Sequence, residues 1–133
     1  MHKSPVALIV DDSPELRLVL SSLFKHMGLD VVTARDGETG LVLAREHRPD
    51  IVCLDLMLPV LCGLDVCEQL KRSPETADVP VLIVSARSYP QDRADARKAG
   101  ADGYVTKPID RGEFSAQVRS IMWRRQMQMA KGA

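Results

Sequence analysis

Four short apolar runs end abruptly in residues that can do chemistry. Val6 to Val10 runs into Asp11 and Asp12, Ile51 to Leu54 into Asp55, Val81 to Val84 into Ser85, and Tyr104 to Thr106 into Lys107. Three carboxylates brought to one point would repel by roughly 1 to 4 kcal/mol per pair at about 4 Å, depending on local screening. Such a cluster needs a counterion. Hard oxygen ligands with room for water and phosphate oxygens suit Mg²⁺ better than zinc or copper. Lys107 would add a fixed cation and Ser85 a hydroxyl donor. These parts suit phosphoryl transfer, in which catalysis is mostly positioning and charge neutralisation. The nucleophile would be a carboxylate that forms an aspartyl-phosphate. Asp55, the lone acid on the central run, is the best candidate.

Each member has a plainer reading when taken alone. A single Asp after a strand is usually a helix cap, a Lys-Pro pair is usually a turn, and one Ser says nothing. The weight lies in the joint pattern.

That pattern requires elements that carry all four run ends to one edge. The runs at 6–10, 51–54 and 81–84 are continuously apolar, as strands buried on both faces should be, and 31–34 and 104–106 read as two more strands. Between them lie helical segments. Ser13-Pro14-Glu15 is a cap, an N1 proline and a first-turn acid. Leu16, Val19, Leu20, Leu23, Phe24 and Met27 follow at helical spacing, and Gly28 ends the helix. Asp36 opens a second helix that must stop before Pro49. Leu64, Cys67 and Leu70 mark a third, closed by Ser73-Pro74. A short alanine-based helix from Ala94 to Ala99 has little apolar grip. A last helix starts at Asp110 and should bury Phe114, Val118, Ile121 and Met122. Strand and helix alternate five times with short connections, which predicts an α/β doubly wound fold with a parallel sheet. In such sheets ligands bind beyond the carboxyl ends of the strands.

Composition narrows the function further. The 133 residues suffice for one domain, and the 18 Lys plus Arg balance 18 Asp plus Glu. Zero net charge argues against a whole-protein grip on nucleic acid or anionic lipid, and no apolar run approaches the length of a membrane span. The N-terminus is no signal peptide. Cys53, Cys62 and Cys67 lack the spacing of a zinc site or disulfide framework, so reduced thiols in a cytoplasmic protein are expected. The last twenty residues are locally basic: after Glu113 the only charges are Arg119, Arg124, Arg125 and Lys131.

The combination resembles the response-regulator receiver domain, the CheY-like family, from about Val6 to Trp123. Its carriers are Val10-Asp11-Asp12, Asp55-Leu56-Met57-Leu58-Pro59 with Gly63, Ser85-Ala86, and the run from Ala99 to Pro108. The resemblance implies a flavodoxin-like (βα)5 sheet of strand order 2-1-3-4-5. Residues 1–125 would be the receiver and 126–133 a tail or the start of a linker. It implies that a sensor histidine kinase or a histidine phosphotransfer protein donates a phosphoryl group to Asp55. Mg²⁺ would be held by Asp11, Asp12, Asp55 and the backbone carbonyl of Met57. Lys107 and Ser85 would bind phosphoryl oxygens, and Ala86 would leave room for them. Ser85 and Tyr104 would form the switch, and Pro108 would follow a cis peptide. Output would pass through the fourth helix, fifth strand and fifth helix to a downstream protein or output domain, or to a homodimer. Beyond its own phosphorylation and dephosphorylation it would not be an enzyme, and it would contact neither nucleic acid directly nor the membrane interior.

The sequence departs from the family at Cys62, where Asp is common, so the cap of the third helix should be weaker. Met57 and Arg87 flank the pocket at positions where members vary. Three rival readings concern the same residues. The main rival within signalling is a receiver excised from a larger hybrid kinase or cyclase. A haloacid-dehalogenase-like phosphatase would need Asp-x-Asp after the first strand, and Asp11-Asp12-Ser13 lacks that spacing. A flavodoxin would need a phosphate loop there, where two acids repel phosphate.

Overall fold

Five strands and five helices alternate along the chain: β1 (Val6–Val10), α1 (Pro14–His26), β2 (Asp30–Ala34), α2 (Gly37–His47), β3 (Ile51–Leu54), α3 (Gly63–Arg72), β4 (Val81–Ser85), α4 (Pro90–Lys98), β5 (Gly103–Thr106) and α5 (Arg111–Gly132). The computed structural model describes residues 4–132. All pairings are parallel, in the order β2-β1-β3-β4-β5. This is the flavodoxin-like doubly wound fold with the expected strand order.

Alternation along the strands divides the core into two layers. Ala7 and Ile9 of β1 face one side, with Leu20 and Phe24 of α1 and Phe114, Val118 and Ile121 of α5. Phe24 and Phe114 meet edge to face at 5.2 Å. Leu8 and Val10 face the other side, with Leu41 of α2, Val66 and Leu70 of α3 and Ala96 of α4. Strands covered on both faces leave their polar terminal residues only one direction, out of the carboxyl edge.

Several helix starts follow from local chemistry. Ser13 Oγ accepts from the Leu16 N–H, Asp36 Oδ1 from Thr39, and Asp110 Oδ1 from Glu113. The Cys62 side chain makes no such bond to α3. Its thiol instead donates to Asp65 at 3.2 Å, so the weaker cap expected there is what the fold contains. Cys53 and Cys67 are buried, and burial pushes the Cys67 thiol up to about 11.

Two expectations need correction. Helix α4 begins at Pro90, four residues before Ala94, because Asp92 accepts from the Tyr89 N–H and closes the first turn. Only Asp92 and Ala96 of this helix are buried, in keeping with its weak apolar grip. Met122 is half-buried rather than in the core. Helix α5 continues to Gly132, beyond Arg125.

One backbone position is strained. Val60, in the loop between β3 and α3, has φ 68° and is 99% exposed. A β-branched residue is unfavourable in the left-handed region, and nothing packs on this side chain in return. Val60→Gly is expected to raise the unfolding free energy by about 1 kcal/mol, once glycine's greater unfolded-state entropy is allowed for. Urea unfolding of the two proteins would measure it, and a loss of stability would contradict the strain.

Candidate functional site

The carboxyl edge gathers Asp11, Asp12 and Asp55, whose ligand oxygens lie within 4.8 Å of one another. Asp11 and Asp55 are buried; Asp12 is exposed. The pairing of β1 with β3 sets two of them side by side, since the Asp55 N–H donates to the carbonyl of Val10. The Asp11 N–H donates to Ala34 at the end of β2.

Each buried carboxylate is oriented by a turn of its own. Asp11 Oδ1 accepts from the Ser13 N–H at 2.9 Å, and Asp55 Oδ1 from the Met57 N–H at 3.0 Å. Their other oxygens meet Lys107, whose Nζ lies 3.2 Å from Asp11 Oδ2 and 3.0 Å from Asp55 Oδ2. The side chains of Asp11 and Asp55 are 2% and 5% exposed, while that of Lys107 is 23% exposed. Burial alone would lower the Lys107 pKa, but the two carboxylates more than offset it and hold the ammonium above its ordinary value. Burial raises the Asp11 carboxyl, against the opposing pull of the Ser13 N–H and Lys107. Lys107 is positioned by its N–H bond to Ser85 O and precedes the cis peptide to Pro108.

The donor set fits the cation that the sequence implies. Three carboxylates within ligand reach, with one lysine charge against them, form a hard, acidic, oxygen-only set open to solvent at Asp12. Beside Asp12 a cleft of about 460 Å³ opens between the start of α2 (Gly37, Thr39) and the loop at Pro59, Val60 and Leu61. The Met57 side chain is more than half exposed and presents no polar group there.

Ser85 and Tyr104 sit on neighbouring strands and are joined through Arg87, which the sequence places beside the pocket, with Asp92, Arg93 and Gln117, which sequence reasoning passed over, around them. Ser85 is fully buried, and its Oγ accepts from the Arg87 N–H at 3.2 Å. The Arg87 carbonyl accepts from the Tyr104 hydroxyl at 2.6 Å, which keeps the Tyr104 ring inward. Burial raises the Tyr104 pKa. The Arg87 guanidinium pairs with Asp92 at 2.9 Å, tying this loop to the start of α4. Arg93 stacks its guanidinium 4.7 Å from the Tyr104 ring centre and donates to Thr106. On the outer edge of β5, the Gln117 carboxamide accepts from the Tyr104 N–H at 3.1 Å and donates to its carbonyl at 2.7 Å, standing in for a missing strand. Gly103 makes this approach feasible, because a Cβ there would lie 2.8 Å from Gln117 Oε1. The one legible signal was Asp92, three residues after the residue that starts its helix.

A model of the response regulator receiver domain matches residues 7–119. The chain belongs to this family. It is therefore a receiver domain of two-component signalling, in a family whose members are generally not enzymes. It is 42% identical over 120 residues to the DNA-binding dual master transcriptional regulator RpaA of Synechocystis sp., covering 90% of this chain and 50% of that protein. It is 36% identical over 120 residues to the transcriptional regulatory protein AfsQ1 of Streptomyces coelicolor, covering 90% of this chain and 52% of that one. The receiver spans about half the length of these curated relatives. Among solved structures, a CheY-like receiver domain protein from Methanospirillum hungatei superposes with a TM-score of 0.87 at 18% identity, over 95% of this chain and 99% of that one. The chemotaxis protein CheY4 of Vibrio cholerae gives 0.84 at 24%, over 90% and 99%. At these identities the two structures speak for the fold alone. No helix among the described residues is long and apolar enough to cross a membrane.

Proposed function

We propose that this receiver accepts a phosphoryl group on Asp55 from the phosphohistidine of a sensor histidine kinase or a histidine phosphotransfer protein, in the cytoplasm. The observation that carries the reading is Asp55 itself. It is a buried carboxylate at the end of the central strand, aimed by the Met57 N–H and faced by Lys107 and two further acids. A carboxylate oxygen of Asp55 forms the new P–O bond as the P–N bond of the donor breaks. Lys107 neutralises a phosphoryl oxygen, and the Ser85 hydroxyl, whose oxygen accepts from the Arg87 N–H, donates to another. Asp11, Asp12, Asp55 and the Met57 carbonyl would hold Mg²⁺. When bound, the ion supplies charge neutralisation between the acids and the incoming phosphate.

Ser85 moving toward the phosphoryl group would pull on Arg87, and with it on Tyr104 and the start of α4. A helix that buries only Asp92 and Ala96 shifts at low cost. Residues 1–125 form the receiver in this reading, and 126–133 lead toward an output module. The names of the curated relatives favour a DNA-binding one.

The test is incubation with acetyl phosphate, with and without Mg²⁺, for wild type and Asp12→Ala. Wild type should gain the mass of one phosphoryl group only with Mg²⁺, and Asp12→Ala should need far more of the cation. Equal uptake in EDTA would sink the metal assignment.

A further inference from the structure

Helix α5 has a second seam, of small and apolar residues, that the fold leaves uncovered. Phe114, Val118 and Ile121 are buried against the sheet. On the opposite side Ala116, Ser120, Trp123, Met127 and Ala130 recur at steps of four, three, four and three, and all are exposed. Trp123 is 63% and Met127 43% exposed; Met129, 61% exposed, lies off this line, beside Pro5 and Val6. Two positions in seven on alternating steps of three and four is the spacing of a helix-packing seam. The helix is held firmly enough to present it. Arg125, on the inner side, donates to the Asp78 carbonyl at 2.8 Å and faces Asp50 at 3.7 Å.

The residues flanking the seam indicate what covers it. Arg119 lies on one side, and Arg124 and Lys131 on the other; none of the three forms an ion pair among the described residues. Arg124 reaches only the carbonyls of Ser120 and Asp102, at 3.4 and 3.5 Å. No acid follows Glu113 on this helix. A parallel second copy would set Arg119 opposite Arg124, and an antiparallel one would bring Arg124 close to itself, so like charges would meet in either case. An anionic bilayer calls for a broader apolar face than two positions in seven. A partner helix with its own narrow apolar seam and acidic flanks satisfies both the spacing and the three free cations.

We propose that α5 is the docking seam for an acidic amphipathic helix of a partner protein, not the interface of a homodimer. This goes beyond the phosphoacceptor reading and does not depend on it.

Trp123 is the only tryptophan of the chain and stands in the seam, so its emission reports occupancy directly. The full chain is titrated with two synthetic three-heptad peptides, both with Leu on the seam, one flanked by Glu and the other by Lys. The Glu peptide should shift Trp123 emission to the blue and bind about tenfold or more tightly than the Lys peptide at low salt. The Arg119→Glu/Arg124→Glu protein should reverse that preference while still taking up phosphate at Asp55 as wild type does. That control separates a failure of docking from a failure of the phosphoacceptor reading. Met127→Asp, with unchanged circular dichroism, should lose the binding. Equal binding of both peptides, or no reversal, overturns the proposal. So does a concentration-dependent blue shift with a dimer mass and no peptide present. An equal shift on phosphatidylserine vesicles, without peptide binding, likewise overturns it in favour of a membrane surface.

Discussion

Lys107→Ala is expected to lower the unfolding free energy at neutral pH by about 3 kcal/mol, the scale for removing one partner of a buried ion pair. The reason is the asymmetry of burial at the site. Asp11 and Asp55 are almost fully enclosed, and Lys107 is the cation within 3.2 Å of both. Its removal leaves two carboxylates facing each other with only the Ser13 and Met57 N–H groups to stabilise them. Any ligand that binds the folded state alone stabilises it by mass action. Mg²⁺ should therefore raise the stability of the variant more than that of wild type, because it meets a cluster with no resident cation. Urea unfolding with and without Mg²⁺ measures both quantities. If the variant loses less than 1 kcal/mol, Lys107 is not the counterion of the cluster. Phosphoryl uptake should fall as well, since the cation opposite the incoming group is gone.

Gly63→Ala should damage the same site from behind. Gly63 opens α3, and its N–H donates to the Leu56 carbonyl at 3.0 Å. A Cβ at this position would overlap the Asp55 carbonyl oxygen and lie 2.6 Å from Leu56 Cα. Both obstacles are backbone, so neither can swing aside as a flexible side chain could. The first turn of α3 or the exit of β3 must shift. Overpacking of this kind costs about 3 kcal/mol. A displacement approaching an ångström at the nucleophile can slow a reaction about 100-fold. Thermal unfolding and the rate of phosphoryl uptake from acetyl phosphate, measured with saturating Mg²⁺, check the two effects. A fully active, equally stable alanine variant would mean that the close approach is not needed.

Much of this architecture was legible because it rests on periodicity and on what interrupts it. Continuous apolar runs such as Ile51 to Leu54, too short for helices and bounded by breakers, read as strands covered on both faces, and the polar residue that halts each run then lies at an edge. The convergence of Asp11, Asp12, Asp55 and Lys107 follows from that logic once the strands are parallel. What escaped the sequence reading depends on contacts without a repeat. The Gln117 carboxamide substitutes for a strand at Tyr104 across 13 residues, and the Arg87–Asp92 pair ties a loop to the next helix. Neither leaves a pattern in composition. The start of α4 was missed because its cap is Tyr89, a residue type that does not announce a helix. The end of α5 carried no mark in the sequence because its last two turns bury little, so the apolar period that marks the core side fades after Ile121. Val60 was passed over because nothing in a Pro-Val-Leu-Cys loop distinguishes the residue that must take a positive φ.

The central claim is that Asp55 is the residue that accepts the phosphoryl group. Intact-mass spectrometry of wild type and Asp55→Asn after incubation with acetyl phosphate and Mg²⁺ tests it most directly. Wild type is predicted to gain one phosphoryl mass, lost on mild base treatment as an acyl phosphate should be. Asp55→Asn is predicted to gain none while keeping its fold, with the Asp11–Lys107 pair still in place. Equal phosphorylation of both proteins, or no uptake by a folded wild type, would contradict the account.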